Sequence, residues 1–140
     1  AWAKMYGGDV FAGDADAEKV SQMKEKFRRM GGKVKIVVKH VDVFADDGWV
    51  NGIAARIVTD PPWGLYKEED DLQGFYRAML ERICDMLAPG GYAVILSAAK
   101  AEMELALRTQ VRALGLDARY DVLVNGKKAS VYCLVRSKRL

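Results

Sequence analysis

The stretch from Arg56 to Gly64, Arg-Ile-Val-Thr-Asp-Pro-Pro-Trp-Gly, limits what the chain can fold into more than any other. A short apolar, β-branched run ends abruptly at an acid and two prolines, so it reads as a strand that stops where a site can form. Proline has no amide donor and fixes its own φ. Pro61 and Pro62 therefore end the ladder and hold their carbonyls, with that of Asp60, in a stiff outward-pointing turn. Gly64 then lets the backbone bend or a ligand come close. A stiff set of acceptors beside an aromatic suits a planar group that carries an NH₂. Asp60 and a proline carbonyl accept from the amine while Trp63 stacks on the ring. On this reading the π face of Trp63 matters and its indole donor does not. A strand-end turn over a buried tryptophan would account for Pro-Pro alone, but the whole Asp-Pro-Pro-Trp-Gly after an apolar strand favours a site.

With 140 residues, 51% of them hydrophobic, the chain fits one ordinary domain with its own core. No apolar run is long enough to span a membrane, so no membrane partner is expected. Cys84 and Cys133 sit in apolar runs without metal or disulfide spacing and no secretory signal is visible, which predicts a reducing cytoplasm and no metal site. A net charge of +3 permits a nucleic-acid partner without demanding one.

The flanking segments alternate in type. Ala1 to Tyr6 reads as the tail of a helix stopped at Gly7-Gly8, and a chain that opens in mid-helix is expected to be a piece of something longer. Asp9 to Gly13 is a short strand ending at Asp14-Ala15-Asp16. Asp16 caps a helix whose stripe of Ala17, Val20, Met23, Phe27 and Met30 stops at Gly31-Gly32. Asp14, with no capping task, stands where a nucleotide-binding sheet uses a carboxylate to accept from two adjacent ribose hydroxyls. The next strand, Val34 to Val43, carries Lys33, Lys35 and Lys39, a pattern that protects edges, and leads to Asp42, where an acid can accept from an adenine amine. His40 reads as structural. Ala45 to Ala55 is a polar loop before the strand Ile57 to Thr59.

Beyond the central motif, Tyr66 to Asp71 is a charged, exposed loop. Leu72, Phe75, Tyr76, Met79, Leu80, Ile83 and Leu87 have helical spacing, and Ala88-Pro89-Gly90-Gly91 closes that helix. Tyr92 to Ser97 is an apolar strand buried on both faces. A further helix is predicted from Ala101 to Leu114, with Gly115 as its stop. Ala118 to Val124 and Ala129 to Arg136 flank Asn125-Gly126, a two-residue hairpin turn. The order predicts an α/β sheet, mostly parallel, with one antiparallel strand in the C-terminal hairpin.

Asp60-Pro61-Pro62-Trp63 resembles the (Asp/Asn)-Pro-Pro-aromatic signature of class I S-adenosylmethionine-dependent methyltransferases that act on exocyclic or amide nitrogens. The order of elements is similar to that Rossmann-like fold from its second strand onward, so the resemblance implies residues 1–140 as the C-terminal part of a catalytic domain. No Asp-x-x-x-Gly-x-Gly segment is present, and the fold's first strand and glycine loop are missing from this chain. That strand would lie between the strands near Val10 and Val58. Its absence predicts two open edges, closed by a preceding segment, by rearranged strands or by a second copy in a homo-oligomer. Gly13-Asp14-Ala15-Asp16, Asp42 and Asp60 to Gly64 together most resemble RNA guanine methyltransferases with an upstream THUMP domain. Messenger-RNA adenine methyltransferases also use Asp-Pro-Pro-Trp, but ahead of the cofactor strand; here it follows two cofactor-type strands.

The resemblance implies S-adenosylmethionine as cofactor, with Asp14 on the ribose and Asp42 on the adenine amine. Asp60, Pro61, Pro62 and Trp63 would lie on the target base, Asp60 also close to the cofactor. The expected reaction is methylation of an RNA base, foremost the guanine 2-amino group in transfer RNA. Two alternatives stand beside it. One is an adenine amine or a protein glutamine amide, which presents the same NH₂. The other is an inactive fragment or RNA-binding module without the cofactor loop.

Overall fold

Hydrogen bonds from capping side chains and the lengths of paired strands set the element boundaries. The computed structural model describes residues 8–32, 34–45, 50–64, 71–110 and 113–138. The elements run β1 (Val10–Asp14), α1 (Ala17–Met30), β2 (Ile36–His40), β3 (Ala54–Thr59), α2 (Leu72–Met86), β4 (Leu87–Ser97), α3 (Lys100–Thr109), β5 (Leu114–Val124) and β6 (Lys127–Arg136). The chain divides into two compact units, Ala1–Trp49 and Val50–Leu140. The expected helix tail at Ala1 to Tyr6 and the loop at Tyr66 to Asp70 lie outside the described residues, as do Lys33, Gly48 and Val111.

The first unit is a β–α–β crossover. Asp16 Oδ1 accepts from the amides of Glu18 (2.9 Å) and Lys19 (3.3 Å), the N-cap its position predicts. The helix ends at Gly31, with φ 55°. Of the predicted stripe, Val20 is buried and Met23 and Phe27 are half-buried, whereas Ala17 and Met30 at the two ends are exposed. β1 and β2 pair in parallel from Val10↔Ile36 to Asp14↔His40. β2 is thus shorter than the predicted Val34 to Val43, because its five-residue partner offers no further ladder.

The second unit holds a four-stranded sheet in the order β3-β4-β6-β5. β3 runs parallel to β4, while β6 is antiparallel to both β4 and β5, so β6 alone runs against the others. Alternation places Ala93, Ile95 and Ser97 of β4 beside Leu134, Tyr132 and Ser130 of β6, all on one buried face. Tyr76, Met79, Leu80, Ile83 and Cys84 of α2 join them in one core with Met103 and Ala106 of α3. A polar clasp holds α3 against the hairpin. Asp121 accepts from Ser130 Oγ (2.6 Å) and Lys100 Nζ (3.0 Å), and these two bonds hold its carboxyl below the usual range.

Several boundaries of the second unit differ from the sequence reading. β3 begins at Ala54 and β4 at Leu87, ahead of the predicted Ile57 and Tyr92, because Ala54 pairs with Leu87 before an irregularity in the register. The run Ala88 to Gly91 both follows the helix end and starts the strand. The second predicted helix stops at Thr109, and Leu114 and Gly115 belong to β5. The cause lies in the hairpin: β6 extends to Arg136, and Arg136 and Val135 take Leu114 and Gly115 as their ladder partners. Gln110 Nε2, just past the helix, also donates to the carbonyl of Leu114, the first residue of β5 (2.8 Å).

β1 and β3 each lie at an edge of their own sheet. Val58 in β3 is 81% exposed. Within the hairpin, Asn125 and Gly126 have φ 49° and 76°, the paired left-handed conformations of a tight two-residue turn. A Cβ at Gly126 would meet nothing within 4 Å, so a substitution there tests backbone strain alone. Gly126→Ala is expected to lower the unfolding free energy by about 1–2 kcal/mol. A denaturation midpoint equal to that of the parent would contradict this.

Candidate active site

Parallel pairing brings the ends of β3 and β4 together. The last pair of the ladder is Thr59↔Ile95, and the next residues are Asp60 on one strand and Leu96 and Ser97 on the other. Pro61 is buried, Asp60 and Pro62 are exposed, and Trp63 is half-buried. With no amide on Pro61 or Pro62, the turn cannot be held by a backbone ladder. Side chains hold it instead.

The Trp63 indole N–H donates to Asp60 Oδ1 at 2.9 Å and to the Leu96 carbonyl at 3.3 Å. The Tyr76 hydroxyl, reaching across from α2, donates to the Pro62 carbonyl at 3.0 Å. Tyr76 is fully buried and lies 2.5 Å from Ser97 Oγ, which also accepts the Ala99 amide at 3.0 Å. Gly64 follows with φ 72°, and a Cβ there would stand 2.9 Å from Leu72 Cδ2 at the start of α2. A side chain at this position would meet both strain and a close neighbour. Asp71 Oδ1 caps α2 by accepting from the Gly74 amide at 2.7 Å.

The indole bond corrects one expectation. The sequence reading made the Trp63 N–H dispensable, whereas in the structure it orients the Asp60 carboxylate. One oxygen of Asp60 is occupied by the indole, and among the described residues no donor satisfies Oδ2 or the Pro61 carbonyl. A carboxylate oxygen and a proline carbonyl of the turn are thus without an internal donor among the described residues.

Asp14 and Asp42 lie in the first unit, at the C-terminal end of its parallel strand pair. Asp14 Oδ1 accepts from the Asp16 amide (2.9 Å) and its carbonyl from the Val41 amide (3.0 Å). Asp14 thus closes a local turn, a task the sequence reading did not give it. Asp42 Oδ1 accepts from the Phe44 amide at 3.0 Å. In both, one oxygen fixes the turn, and Oδ2 has no partner among the described residues. His40 Nε2 lies 2.9 Å from the Ala15 carbonyl, which fits the structural role expected of it. The structure thus brings Asp14 and Asp42 to one sheet end in the first unit, and Asp60 to Trp63 to one sheet end in the second.

Tyr76 and Ser97 are the residues that sequence reasoning placed in the core without a further task. Their signal was a hydroxyl at a position where the pattern asks only for an apolar side chain: a Tyr beside Phe75 on a buried stripe, and a Ser ending an apolar strand.

A family model described as RMKL-like, methyltransferase domain, matches residues 3–127. No curated protein sequence matches the chain. Among solved structures, the chain is similar to TrmN from Thermus thermophilus, with a TM-score of 0.76 and 22% identity over 96% of this chain and 39% of that one. It spans well under half the length of that protein. Another match is the N-methyltransferase NodS from Bradyrhizobium japonicum WM9 in complex with S-adenosyl-L-homocysteine, with a TM-score of 0.64 and 15% identity over 91% of this chain and 66% of that one. The PH0226 protein from Pyrococcus horikoshii OT3 matches with a TM-score of 0.71 and 10% identity over 97% of this chain and 75% of that one. At these identities the likeness is one of fold.

Burial pushes the Tyr76 phenol above the usual tyrosine value of 10.0, against a smaller opposing effect of its bond to Ser97. The folded state therefore keeps a proton that the unfolded chain releases. The contribution of this group is fully present below about pH 10 and is lost as pH rises through that value toward the folded pKa. Denaturation midpoints are expected to fall above about pH 10, and to fall less steeply in Tyr76→Phe. Equal alkaline slopes in parent and variant would contradict the assignment.

Proposed function

The chain belongs to the RMKL-like methyltransferase domain family, whose methyl donor is S-adenosylmethionine, and from that premise we propose that it methylates the exocyclic amine of an RNA base, the guanine 2-amino group in transfer RNA being the first candidate. The observation that carries the proposal is the braced Asp60-Pro61-Pro62-Trp63 turn at the end of a parallel strand, with two acceptors free among the described residues. The choice of RNA and of guanine rests on the likeness of Gly13 to Asp16, Asp42 and Asp60 to Gly64 to the THUMP-containing enzymes. We also propose that these residues form part of a larger cytoplasmic catalytic protein.

The residues of the first unit fit the cofactor by their chemistry. Asp14 and Asp42 each keep a carboxylate oxygen for an external donor at a strand's C-terminal end, where hydroxyl and amine groups of a nucleoside find acceptors. Asp14 would take the ribose hydroxyls and Asp42 the adenine amine. The bound cofactor supplies an electrophilic methyl group that needs no further activation. What remains for the protein is orientation. Asp60 Oδ2 and the Pro61 carbonyl would accept the two hydrogens of the target amine, favour a tetrahedral nitrogen and aim its lone pair at the methyl carbon. Asp60 would be held in that attitude by the Trp63 indole. A base inside a helix cannot reach these acceptors, so the substrate base must be unpaired or flipped, with the Trp63 ring replacing its lost stacking.

The test is methyl transfer by the complete protein to oligonucleotides that contain guanine or adenine as the only purine. Methylation of the guanine strand alone supports the reading; methylation of adenine alone, or of a protein amide, overturns the base assignment. Asp60→Ala should cost on the order of 2–4 kcal/mol in transition-state stabilisation, roughly 30- to 900-fold in rate, with cofactor affinity nearly unchanged. Trp63→Phe, which keeps the ring and drops the N–H, should fall between parent and Asp60→Ala. Turnover of Asp60→Ala within threefold of the parent would remove Asp60 from the mechanism.

A further inference from the structure

We infer that Tyr76 is a positioning residue for the methyl-transfer turn, and that Ser97 sets the direction in which its hydroxyl points; the inference rests on the proposed reaction at Asp60 to Trp63. The argument is one of hydrogen-bond counting. The Pro62 carbonyl can only accept, so the proton in the 3.0 Å contact comes from the Tyr76 hydroxyl. That leaves the Tyr76 oxygen as the acceptor in its 2.5 Å contact with Ser97, whose own proton must lie between them. Ser97 Oγ in turn accepts the Ala99 amide at 3.0 Å. Only one sense of the chain is allowed: Ala99 N–H to Ser97 O–H to Tyr76 O–H to the Pro62 carbonyl.

Each donor in this relay points toward the Pro-Pro turn, and each bond polarises the next. Tyr76 and Ser97 are both fully buried, so water does not compete for their hydroxyls. Packing does not require the hydroxyl: the ring meets Phe75 edge-on at 5.8 Å and sits in the core, where a phenylalanine would fill the same space. The oxygen's distinct task is the Pro62 carbonyl. Fixing that carbonyl fixes the peptide plane after Pro62, and through the rigid pyrrolidine rings it limits the Pro61 carbonyl that would face the substrate amine. The same turn carries Trp63, whose N–H holds Asp60. A single bond from α2 thus stabilises the geometry of both proposed acceptors.

Two readouts on the complete protein test this, one independent of activity. The first is exchange of the Trp63 indole proton by NMR, its resonance identified by its loss in Trp63→Phe. The second is steady-state methyl transfer to RNA, with cofactor affinity measured alongside. Tyr76→Phe is expected to speed indole exchange at least tenfold. It should also lower kcat on the order of 10- to 100-fold, the cost of a small misplacement of reacting groups, while KM and cofactor affinity stay within about twofold. Ser97→Ala, which leaves the Tyr76–Pro62 bond in place but frees its direction, should give a smaller change of the same kind. It serves as the test if Tyr76→Phe does not fold. A lower melting temperature with unchanged indole exchange and unchanged kcat would overturn the inference, leaving Tyr76 a core residue only. A parent protein inert toward RNA would overturn the functional reading instead, and unchanged indole exchange would still defeat the brace separately.

Discussion

Two consecutive prolines remove two amide donors from the end of β3, and the candidate site depends on how the fold replaces them. A turn without backbone bonds is loose unless other donors hold it. The chain answers with side chains from three elements: the Trp63 indole of the turn itself, the Tyr76 hydroxyl of α2 and the Ser97 hydroxyl ending β4. The Leu96 carbonyl receives the other branch of the indole bond. The result is an acceptor cluster whose geometry is set by the core beneath it, and rigid acceptors are what a reaction governed by orientation needs.

The packing of the second unit serves that end. The buried face of β4 and β6 meets α2 and α3 in one core, so the helix that supplies Tyr76 is anchored by Met79, Leu80, Ile83 and Cys84. The first unit builds a separate end from the same grammar: a parallel strand pair with an acid after each strand, each acid using one oxygen to close its own turn. Local turns of this kind fix a carboxylate while leaving its second oxygen for a ligand.

Much of this was legible in the sequence, and the failures have physical causes. The strand that stops at Asp60, the Asp16 cap and the Asn125-Gly126 hairpin rest on local chemistry, and local chemistry survives folding. The helical reading fails at Leu114 because an apolar residue at the end of a helix pattern looks the same whether helix or strand buries it. Only the reach of β6 to Arg136 decides that Leu114 is in a strand. The role of the Trp63 N–H escapes a sequence reading because an aromatic in a motif invites a stacking argument, while its two acceptors, Asp60 three residues back and the Leu96 carbonyl 33 residues on, meet it only in the folded turn. Tyr76 was hidden by its own stripe: a helical period identifies the buried face but not why one member of it carries an oxygen.

The most direct measurement is a crystal structure of the complete protein with substrate RNA and S-adenosylhomocysteine. The account predicts the target amine nitrogen within about 3.2 Å of both Asp60 Oδ2 and the Pro61 carbonyl, with the Trp63 indole still bonded to Oδ1. A productive complex in which the amine meets neither acceptor, or in which Trp63 has left Asp60 to stack elsewhere, would contradict it.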